Sequence, residues 1–386
     1  MIRSLLLCIM CFVLFSGVFL AQDDDDEAGI STDETSFFRY TQYHTGVYNE
    51  PAVRELPEIL WNVPSPRPSR TTPVVANGLA YFGNEAGTYF AVDVNTGEVI
   101  WQMDTEQPIV STAAVTGNLY VGGLDNYIYA LDALTGDIIW QFETDGDIYS
   151  SPAIIDVMLI IGSRDGHLYA LDKGTGSEFW RFESGGEIWS SPAYTDRIIY
   201  FGNRAGIVFA VDIYSGEEIW RYDAFTNSGN VDASPAVVDG VVYVGSLGGE
   251  FVALTADSGE LIWQLQSESG FYASAAVTDE LVYVNDLSGE VYALNRADGE
   301  IVWQLSIGGS SYASPVVTDD VVYLVTEEGG YLYALDRFTG DEFWRLETGR
   351  EGDFRSSSVV PVDGFLLIAS NSQGLLLLGD PAQFNP

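Results

Sequence analysis

Short runs of alternating hydrophobic and polar residues, separated by turn residues, fill most of this 386-residue chain. Residues 150–182 show the unit: SSPAI and VMLIIGS predict two short strands, the turn RDG leads to HLYALD, and the turn KGTG leads to SEFWRF. Such alternation is typical of half-buried strands, and glycine provides the backbone angles that tight turns need. No stretch has helical periodicity long enough to compete, so the pattern predicts an all-β fold.

The unit recurs about every forty residues, and a tryptophan marks each copy. These tryptophans are Trp61, Trp101, Trp140, Trp180, Trp220, Trp263, Trp303 and Trp344, with separations of 40, 39, 40, 40, 43, 40 and 41 residues. The motif Ala-x-Asp-x-x-Thr-Gly-x-x-x-Trp is complete in the copies that end at Trp101, Trp140, Trp180 and Trp344, and degenerate in those that end at Trp220, Trp263 and Trp303. This period, built from strands alone, is the spacing of four-stranded propeller blades.

Seven complete units run from about residue 70 to 346, and the two ends of the chain supply an eighth. The C-terminal stretch SSSVVPVDGFLLIASNSQGLLLLGDP predicts three strands, and residues 55–65 predict a single fourth strand that carries Trp61. Pairing these ends removes two exposed sheet edges. We therefore expect an eight-bladed β-propeller of four-stranded antiparallel blades over residues 55–381, closed by the N-terminal strand pairing with the C-terminal blade.

The tryptophans of the motif are predicted to be structural docking residues. Thr-Gly closes the turn between the third and fourth strands, and the small Ala leaves room for an indole to dock between adjacent blades. Burying an indole removes about 150–250 Å² from water, so we expect its replacement by alanine to cost about 3–5 kcal/mol.

The first 21 residues are read as a leader, with Arg3 before an apolar stretch from Leu5 to Leu20. The leader is either a signal peptide or an N-terminal membrane anchor, because its apolar length lies near the lower limit for spanning a bilayer. Residues 22–54 follow as an acidic spacer and an approach segment, of which residues 22–36 are predicted to be disordered. We expect the body of the protein to be exported, as a periplasmic, envelope-associated or extracellular protein.

The charge is strongly negative, since 16 lysines and arginines stand against 56 aspartates and glutamates, a net charge of −40. Such a surface repels phosphate backbones and anionic membrane surfaces, so the sequence predicts no nucleic-acid partner. Two interpretations of the charge remain. It either keeps the protein soluble or attracts a basic partner or cations.

Candidate catalytic residues are few. Both cysteines, Cys8 and Cys11, lie in the leader, so the body has no disulfide, no thiolate nucleophile and no cysteine-ligated metal. The two histidines, His44 in the approach segment and His167 at the start of a third strand, are not placed for a Ser-His-Asp triad. The sequence therefore predicts no catalytic residue, no metal ligand and no cofactor.

The repeats resemble those of the pyrroloquinoline-quinone (PQQ) propeller superfamily, whose tryptophan-docking motif is the one quoted above, and the resemblance covers residues 55–380. One branch, the quinoprotein dehydrogenases, implies a bound quinone, a calcium ion and a vicinal disulfide over the cofactor. This chain lacks those cysteines and has uniformly short loops between blades. The other branch, the BamB-like scaffolds of the outer-membrane barrel-assembly machinery, agrees with the length, the eight blades, the export and the absence of catalytic equipment.

The position just before each first strand is predicted to form a ring around one mouth of the central channel. The ring residues are Arg70, Val110, Tyr149, Trp189, Asp232, Tyr272, Tyr312 and Arg355, with Arg164 and Arg204 in neighbouring turns. These side chains either plug the channel and stack on neighbouring blades, or form a recognition patch for a peptide, a glycan or a planar small molecule. The longest inter-blade loop, residues 223–232, is the natural place for a specificity insert.

These observations favour a non-catalytic, extracytoplasmic binding scaffold that contacts a protein partner in the cell envelope. Two alternatives remain open at this stage. One is a PQQ- and calcium-dependent quinoprotein oxidoreductase, and the other is a propeller that senses a small molecule or a carbohydrate.

Overall fold

The computed structural model describes residues 35–36, 38–223, 225, 229–347, 352–354 and 356–384. Within these ranges the chain forms strands and turns, and none of the described residues belongs to a helix that could span a membrane. The predicted leader and most of the predicted acidic spacer lie outside the described residues.

Thirty-three strands alternate with short turns along the described chain. They are β1 (Thr35–Ser36), β2 (Glu58–Val63), β3 (Val74–Ala76), β4 (Leu79–Gly83), β5 (Thr88–Asp93), β6 (Val99–Asp104), β7 (Ala114–Thr116), β8 (Asn118–Gly122), β9 (Tyr127–Asp132), β10 (Ile138–Glu143), β11 (Ala153–Ile155), β12 (Met158–Gly162), β13 (His167–Asp172), β14 (Glu178–Glu183), β15 (Ala193–Thr195), β16 (Ile198–Gly202), β17 (Val208–Asp212), β18 (Glu218–Tyr222), β19 (Ala236–Val238), β20 (Val241–Gly245), β21 (Glu250–Thr255), β22 (Leu261–Gln266), β23 (Ala276–Val277), β24 (Leu281–Asn285), β25 (Glu290–Asn295), β26 (Ile301–Ser306), β27 (Val316–Val317), β28 (Val321–Val325), β29 (Tyr331–Asp336), β30 (Glu342–Glu347), β31 (Val360–Val362), β32 (Phe365–Ser370) and β33 (Gly374–Gly379).

Consecutive strands from β3 to β30 form seven four-stranded antiparallel blades, and the eighth blade joins the two ends of the chain. Strand β2 pairs with β33, Trp61 opposite Leu377, which gives the sheet order β2-β33-β32-β31. The predicted eight-bladed propeller, closed by its N-terminal strand, is therefore confirmed. The ring cannot open at this point without breaking the β2–β33 ladder.

The hydrophobic core lies between the blades as well as within them. One cluster joins Tyr120 of β8 to Leu159 of β12, which belong to neighbouring blades. The middle strands are buried because a blade covers each of their faces, whereas the fourth strands on the outside are half exposed. This arrangement explains why the second and third strands are nearly all apolar while the fourth strands alternate.

Each docking tryptophan packs on the following blade. Trp101 lies opposite Ala91 in its own blade and donates its Nε1 proton to the Ala133 carbonyl of the next blade at 2.9 Å. Its ring lies against Gly136 of that blade's Thr-Gly turn, where a Cβ would stand 2.6 Å from the indole Cε3. The turn was recognisable in the sequence, but its second role, as the surface on which an indole rests, was not predicted.

The same indole donation recurs at 2.7–3.0 Å for all eight docking tryptophans, seven times to the next blade and once, from Trp344, to the approach segment. The acceptors of the other docking indoles are the carbonyls of Val94, Lys173, Ile213, Ala256, Arg296, Arg337 and Val53. Val53, which accepts from Trp344, belongs to the approach segment and stands in for the Thr-Gly turn that the eighth blade lacks.

The first part of the approach segment runs inside the central channel. Strand β1, the last two residues of the predicted disordered spacer, pairs with the innermost strand β7, with Thr35 opposite Thr116. Residues 38–48 form the plug, which is hydrogen-bonded to the innermost strands of other blades. For example, the Tyr194 N–H donates to Gln42 O. Since β7 runs away from the ring positions, the plug fills the end of the channel opposite the predicted mouth.

A buried arginine holds the plug in place. The Arg39 guanidinium donates from Nε to His44 O at 3.2 Å, and from Nη2 to Ala275 O at 2.6 Å and to Pro315 O at 3.2 Å. Gly46 has a φ of +62° and leaves room for the guanidinium, because a Cβ there would stand 2.0 Å from Nη2. Burial lowers the pKa of Arg39 to about 10, and no carboxylate among the described residues forms an ion pair with it.

Candidate binding site at the channel mouth

The ring residues predicted from the repeats surround one cavity of about 300 Å³ at the channel mouth. The members that line it are Arg70, Val110, Tyr149, Trp189, Asp232, Tyr272 and Tyr312. Arg355, the eighth predicted member, lies outside the described residues, and the prediction was one residue early in this repeat, because Ser356 lines the cavity two residues before Ser358. Phe38 of the plug lines the inner end of the cavity, so the space is open towards the mouth and closed below.

A second ring, of hydroxyl groups, lies two residues further into the channel. Its members are Thr72, Thr112, Ser151, Ser191, Ser234, Ser274, Ser314 and Ser358, and all of them line the cavity. Each backbone N–H donates to the hydroxyl oxygen of the next blade, at 2.8–3.3 Å, and the bond from Ser358 to Thr72 closes the circle.

This hydroxyl ring satisfies eight backbone donors that the short first strands leave without a ladder partner. Each hydroxyl has a second lone pair and a proton available for the contents of the cavity. The hydroxyl ring was missed from the sequence, although a serine or threonine at the same place in all eight repeats is a readable signal.

Trp189 is held in a stack at the mouth. Its ring lies parallel to that of Tyr149, with centroids 4.2 Å apart and an interplanar angle of 6°. The guanidinium carbon of Arg204 lies 4.2 Å from the centroid of the same indole. A ring and a guanidinium cannot share one side at that distance, so Tyr149 and Arg204 cover opposite faces of Trp189.

An ion-pair network fixes the edge of this stack. Glu187 accepts a hydrogen bond from the Trp189 Nε1 at 2.9 Å and one from the Arg164 Nε at 3.1 Å. The Arg164 Nη1 also donates to Asp147 at 2.5 Å. The hydrogen bond from Arg164 lowers the pKa of Glu187, so this carboxylate stays ionised. Both predicted neighbouring arginines, Arg164 and Arg204, therefore reach the site and orient its indole.

Asp232 is the acidic member of the ring and the most buried of its polar side chains. Its side chain is 2% exposed, and its Oδ1 lies 3.2 Å from the Nε of Arg204. Burial raises the pKa of Asp232 to about 6, although the positive charge of Arg204 acts in the opposite direction. The carboxylate is therefore incompletely compensated by its neighbour.

Tyr272 reaches across the mouth from the opposite side. Burial raises the pKa of Tyr272 to about 12, and its hydroxyl also feels the charges of Asp232, Arg70 and Arg204. Its ring makes an edge contact with Tyr312, with centroids 5.5 Å apart and an interplanar angle of 76°. The mouth therefore has two aromatic walls, Tyr149 with Trp189 on one side and Tyr272 with Tyr312 on the other.

A family model described as outer membrane protein assembly factor BamB matches residues 55–115, 90–258, 205–306 and 248–383. The chain belongs to this family. Membership in the BamB family confirms the PQQ-like repeats that the tryptophan motif indicated. No curated protein matches the chain in sequence.

Three solved structures illustrate the range of proteins with this fold. BamB from Moraxella catarrhalis has a TM-score of 0.72 at 18% identity, over 84% of this chain and 100% of its own. A quinohemoprotein alcohol dehydrogenase from Comamonas testosteroni has a TM-score of 0.76 at 16% identity, over 90% and 81%. The computationally designed protein Ika8 has a TM-score of 0.73 at 16% identity, over 84% and 100%. At these identities the likeness shows the fold alone.

The mouth of this BamB-family chain does not fit a quinone cofactor with its calcium ion. Both faces of Trp189 are covered, by Tyr149 and Arg204, so neither is free to stack on a planar quinone. Among the residues that the structure describes, no three His, Cys, Asp or Glu side chains are grouped to hold a metal. Calcium prefers six to eight oxygen ligands, commonly with several carboxylates.

Neither histidine joins the mouth. His44 is buried in the plug with its Nδ1 3.2 Å from Pro235 O, and burial together with Arg39 lowers the pKa of His44 to about 3. His167 lies at the start of β13 with its Nδ1 3.1 Å from Asp165. The mouth itself presents aromatic walls, hydroxyl groups and one buried carboxylate to whatever enters it.

Proposed function

We propose that this BamB-family chain is a non-catalytic scaffold outside the cytoplasm that binds a protein partner in the cell envelope through its channel mouth. The observation that carries the proposal is the Tyr149–Trp189–Arg204 stack, held in place by Glu187 before any partner arrives. Aromatic and arginine side chains dominate the energetics of protein interfaces, and a site that is already ordered loses little entropy on binding.

The position of the first described residue is compatible with this role. Thr35 lies at the end of the channel opposite the mouth, because β1 pairs with the far end of β7. The chain therefore enters the propeller away from the mouth. The cavity of about 300 Å³ is at the small end of ligand sites, so it suits an inserted side chain rather than a large ligand.

The test measures how strongly the full chain and its variants capture an envelope partner. A photo-crosslinking residue beside the mouth traps the partner that is bound there. Trp189→Ala and Tyr272→Ala are expected to weaken capture at least tenfold, as truncating central aromatic anchors does. Tyr214→Ala is the matched control, because Tyr214 is an aromatic side chain, 56% exposed, in a turn on the opposite face. Folded mouth variants that capture the same partner as strongly as the unaltered chain would refute the proposal.

The second candidate function is a quinoprotein oxidoreductase, which the shared fold with the quinohemoprotein alcohol dehydrogenase favours. The covered faces of Trp189 argue against it. Incubation with PQQ and Ca²⁺ is expected to give no quinone absorbance on the protein, no shift in melting temperature and no dye-linked alcohol or sugar oxidation. A stoichiometric quinone signal would reverse the order of the two candidates. A screen of carbohydrates by thermal shift tests the sensing alternative in the same way.

A further inference from the structure

One acceptor in the mouth has no donor. The Oδ1 of Asp232 is buried and has no hydrogen-bond partner, although Asp232 lines the cavity. The nearby Nε of Arg204, at 3.2 Å, is an ion-pair contact without a directed hydrogen bond. With its amide oxygen turned towards Arg204, Asn230 accepts from that Nε at 2.9 Å and from an Nη at 2.8 Å. The Nε proton of Arg204 therefore points to Asn230, and Oδ1 of Asp232 keeps an ion-pair contact with Arg204 but can still accept a directed hydrogen bond.

Among the described residues, the charges around the mouth have a negative surplus. In that part of the chain three arginines, Arg70, Arg164 and Arg204, face four carboxylates, those of Glu85, Asp147, Glu187 and Asp232. Glu85 pairs with Arg70, and both Asp147 and Glu187 receive hydrogen bonds from Arg164. Asp232 is the most deeply buried of the four, and its Oδ1 is a buried acceptor without a directed hydrogen bond.

The rest of the lining suits a cation with an apolar body. Tyr149, Tyr272 and Tyr312 supply aromatic walls, and the negative face of an aromatic ring attracts a cation. The hydroxyl oxygens of the second ring offer further acceptors below. A bare divalent metal fits poorly, because one carboxylate and a set of hydroxyls do not make a calcium site. An anion fits less well, since it would stand against an uncompensated carboxylate.

We propose that the channel mouth binds a protonated aliphatic amine, with Asp232 as its counter-ion and the tyrosines around it as its walls. The amine has two possible sources, a free alkylamine or the side chain of a lysine on a protein. In the second case the inference rests on the proposed function and names the chemistry of the partner: a lysine that enters the mouth of the propeller.

Calorimetric titration of the purified full chain tests this inference without a partner. The probes are n-butylamine, an acetylated and amidated Gly-Lys-Gly peptide, and the same peptide with norleucine in place of lysine. The unaltered protein is expected to bind at least one of the two amines and to bind the norleucine peptide at least tenfold more weakly. Equal binding of butylamine and the lysine peptide indicates a free amine, and tighter binding of the peptide indicates a protein source.

Two variants that remove the same charge distinguish the local effect of Asp232 from the effect of the protein's overall negative charge. Asp232→Asn is expected to weaken amine binding roughly ten- to hundredfold, the usual effect of losing a buried charge-assisted hydrogen bond. Asp223→Asn, on the same inter-blade loop but exposed, is expected to change it less than twofold. Equal weakening by the two variants, or amine binding that survives Asp232→Asn, would overturn the inference.

The pH dependence gives an independent readout. Among the described residues, the charged and titratable groups that face Asp232 are Arg204, Glu187 and Tyr272. Glu187 has a lowered pKa and Tyr272 a raised one, so neither changes charge between pH 5 and 7.5. Amine binding is expected to be about tenfold weaker at pH 5 than at pH 7.5, as Asp232 takes up a proton, and this dependence is expected to be absent in Asp232→Asn.

The two proposals can fail separately. If no amine binds while mouth variants still lose the envelope partner, the scaffold function stands and the amine site is wrong. If amines bind through Asp232 while the mouth variants capture the partner as strongly as the unaltered chain, the amine site stands and the scaffold function is wrong.

Discussion

Replacing one glycine of a Thr-Gly turn by alanine measures what the contact between an indole and the next blade contributes. Gly136 has a φ of +77°, and a Cβ there would stand 2.6 Å from Cε3 and 2.7 Å from Cδ2 of Trp101. Gly117 in the same blade has a φ of +80°, and a Cβ there meets nothing within 4 Å. The two substitutions therefore share the backbone strain and differ in the contact.

The expected magnitudes follow from these distances. An alanine held in the left-handed region costs about 1–2 kcal/mol, which is the whole effect expected for Gly117→Ala. Gly136→Ala also forces the buried Trp101 ring to move, which weakens its hydrogen bond to Ala133 and disturbs the packing between the blades. Displaced packing costs about 1–3 kcal/mol and the hydrogen bond about 1 kcal/mol, so with the backbone strain we expect a total of about 3–6 kcal/mol.

Urea unfolding followed by tryptophan fluorescence and circular dichroism measures both free energies of unfolding. Because a propeller of eight similar blades can depart from two-state behaviour, the two transitions are compared only if the probes coincide. Equal losses for the two variants would refute the argument, since they would show that the indole does not rest on the glycine.

Two further predictions concern the buried charges. Asp232→Asn is expected to raise the free energy of unfolding by up to about 3 kcal/mol at pH 7.5, because the pKa of Asp232 rises from about 3.9 in the unfolded chain to about 6 in the fold. The destabilisation caused by the ionised Asp232 carboxylate is complete above pH 6 and disappears as the pH falls towards 4. A stabilisation by Asp232→Asn that persists at pH 4 would therefore contradict this explanation. Arg39→Met is expected to cost about 2–4 kcal/mol, since it leaves the carbonyls of His44, Ala275 and Pro315 without their donor. Arg197→Met is its control, because Arg197 is 69% exposed and solvent screens its ion pair with Asp212. A similar loss of melting temperature in both variants would be evidence against the role of Arg39 in holding the plug.

The propeller could be predicted because its determinants repeat along the chain. Each indole packs on the unit that follows it, so the spacing of the tryptophans reveals which segments pack together. Trp61, which no complete repeat precedes, indicated that the N-terminal strand closes the propeller. The ring at the mouth followed from the same alignment, since equivalent positions in equivalent blades lie at equivalent places.

The plug could not be predicted in the same way because it occurs once. Arg39 and Gly46 fit one another and the carbonyls of two blades, and neither belongs to a repeated pattern. The incomplete compensation of the Asp232 carboxylate could not be predicted from the sequence either. It depends on Arg204 turning towards Asn230, and these residues come from a turn in one blade and from the loop before the next.

Comparison of the repeats separates the residues that the propeller fold requires from those that are particular to the mouth. Two residues into the channel, every repeat has a serine or threonine, because each must accept the N–H of its neighbour. At the mouth position itself the eight repeats share the backbone but differ in side chain, from Val110 to Trp189 to Asp232. The other ring positions close the fold without a carboxylate, so the fold does not need the one in Asp232, whose burial is unfavourable. A buried charge that the architecture does not require is most simply understood as part of a binding site, and its missing donor is what a ligand would bring.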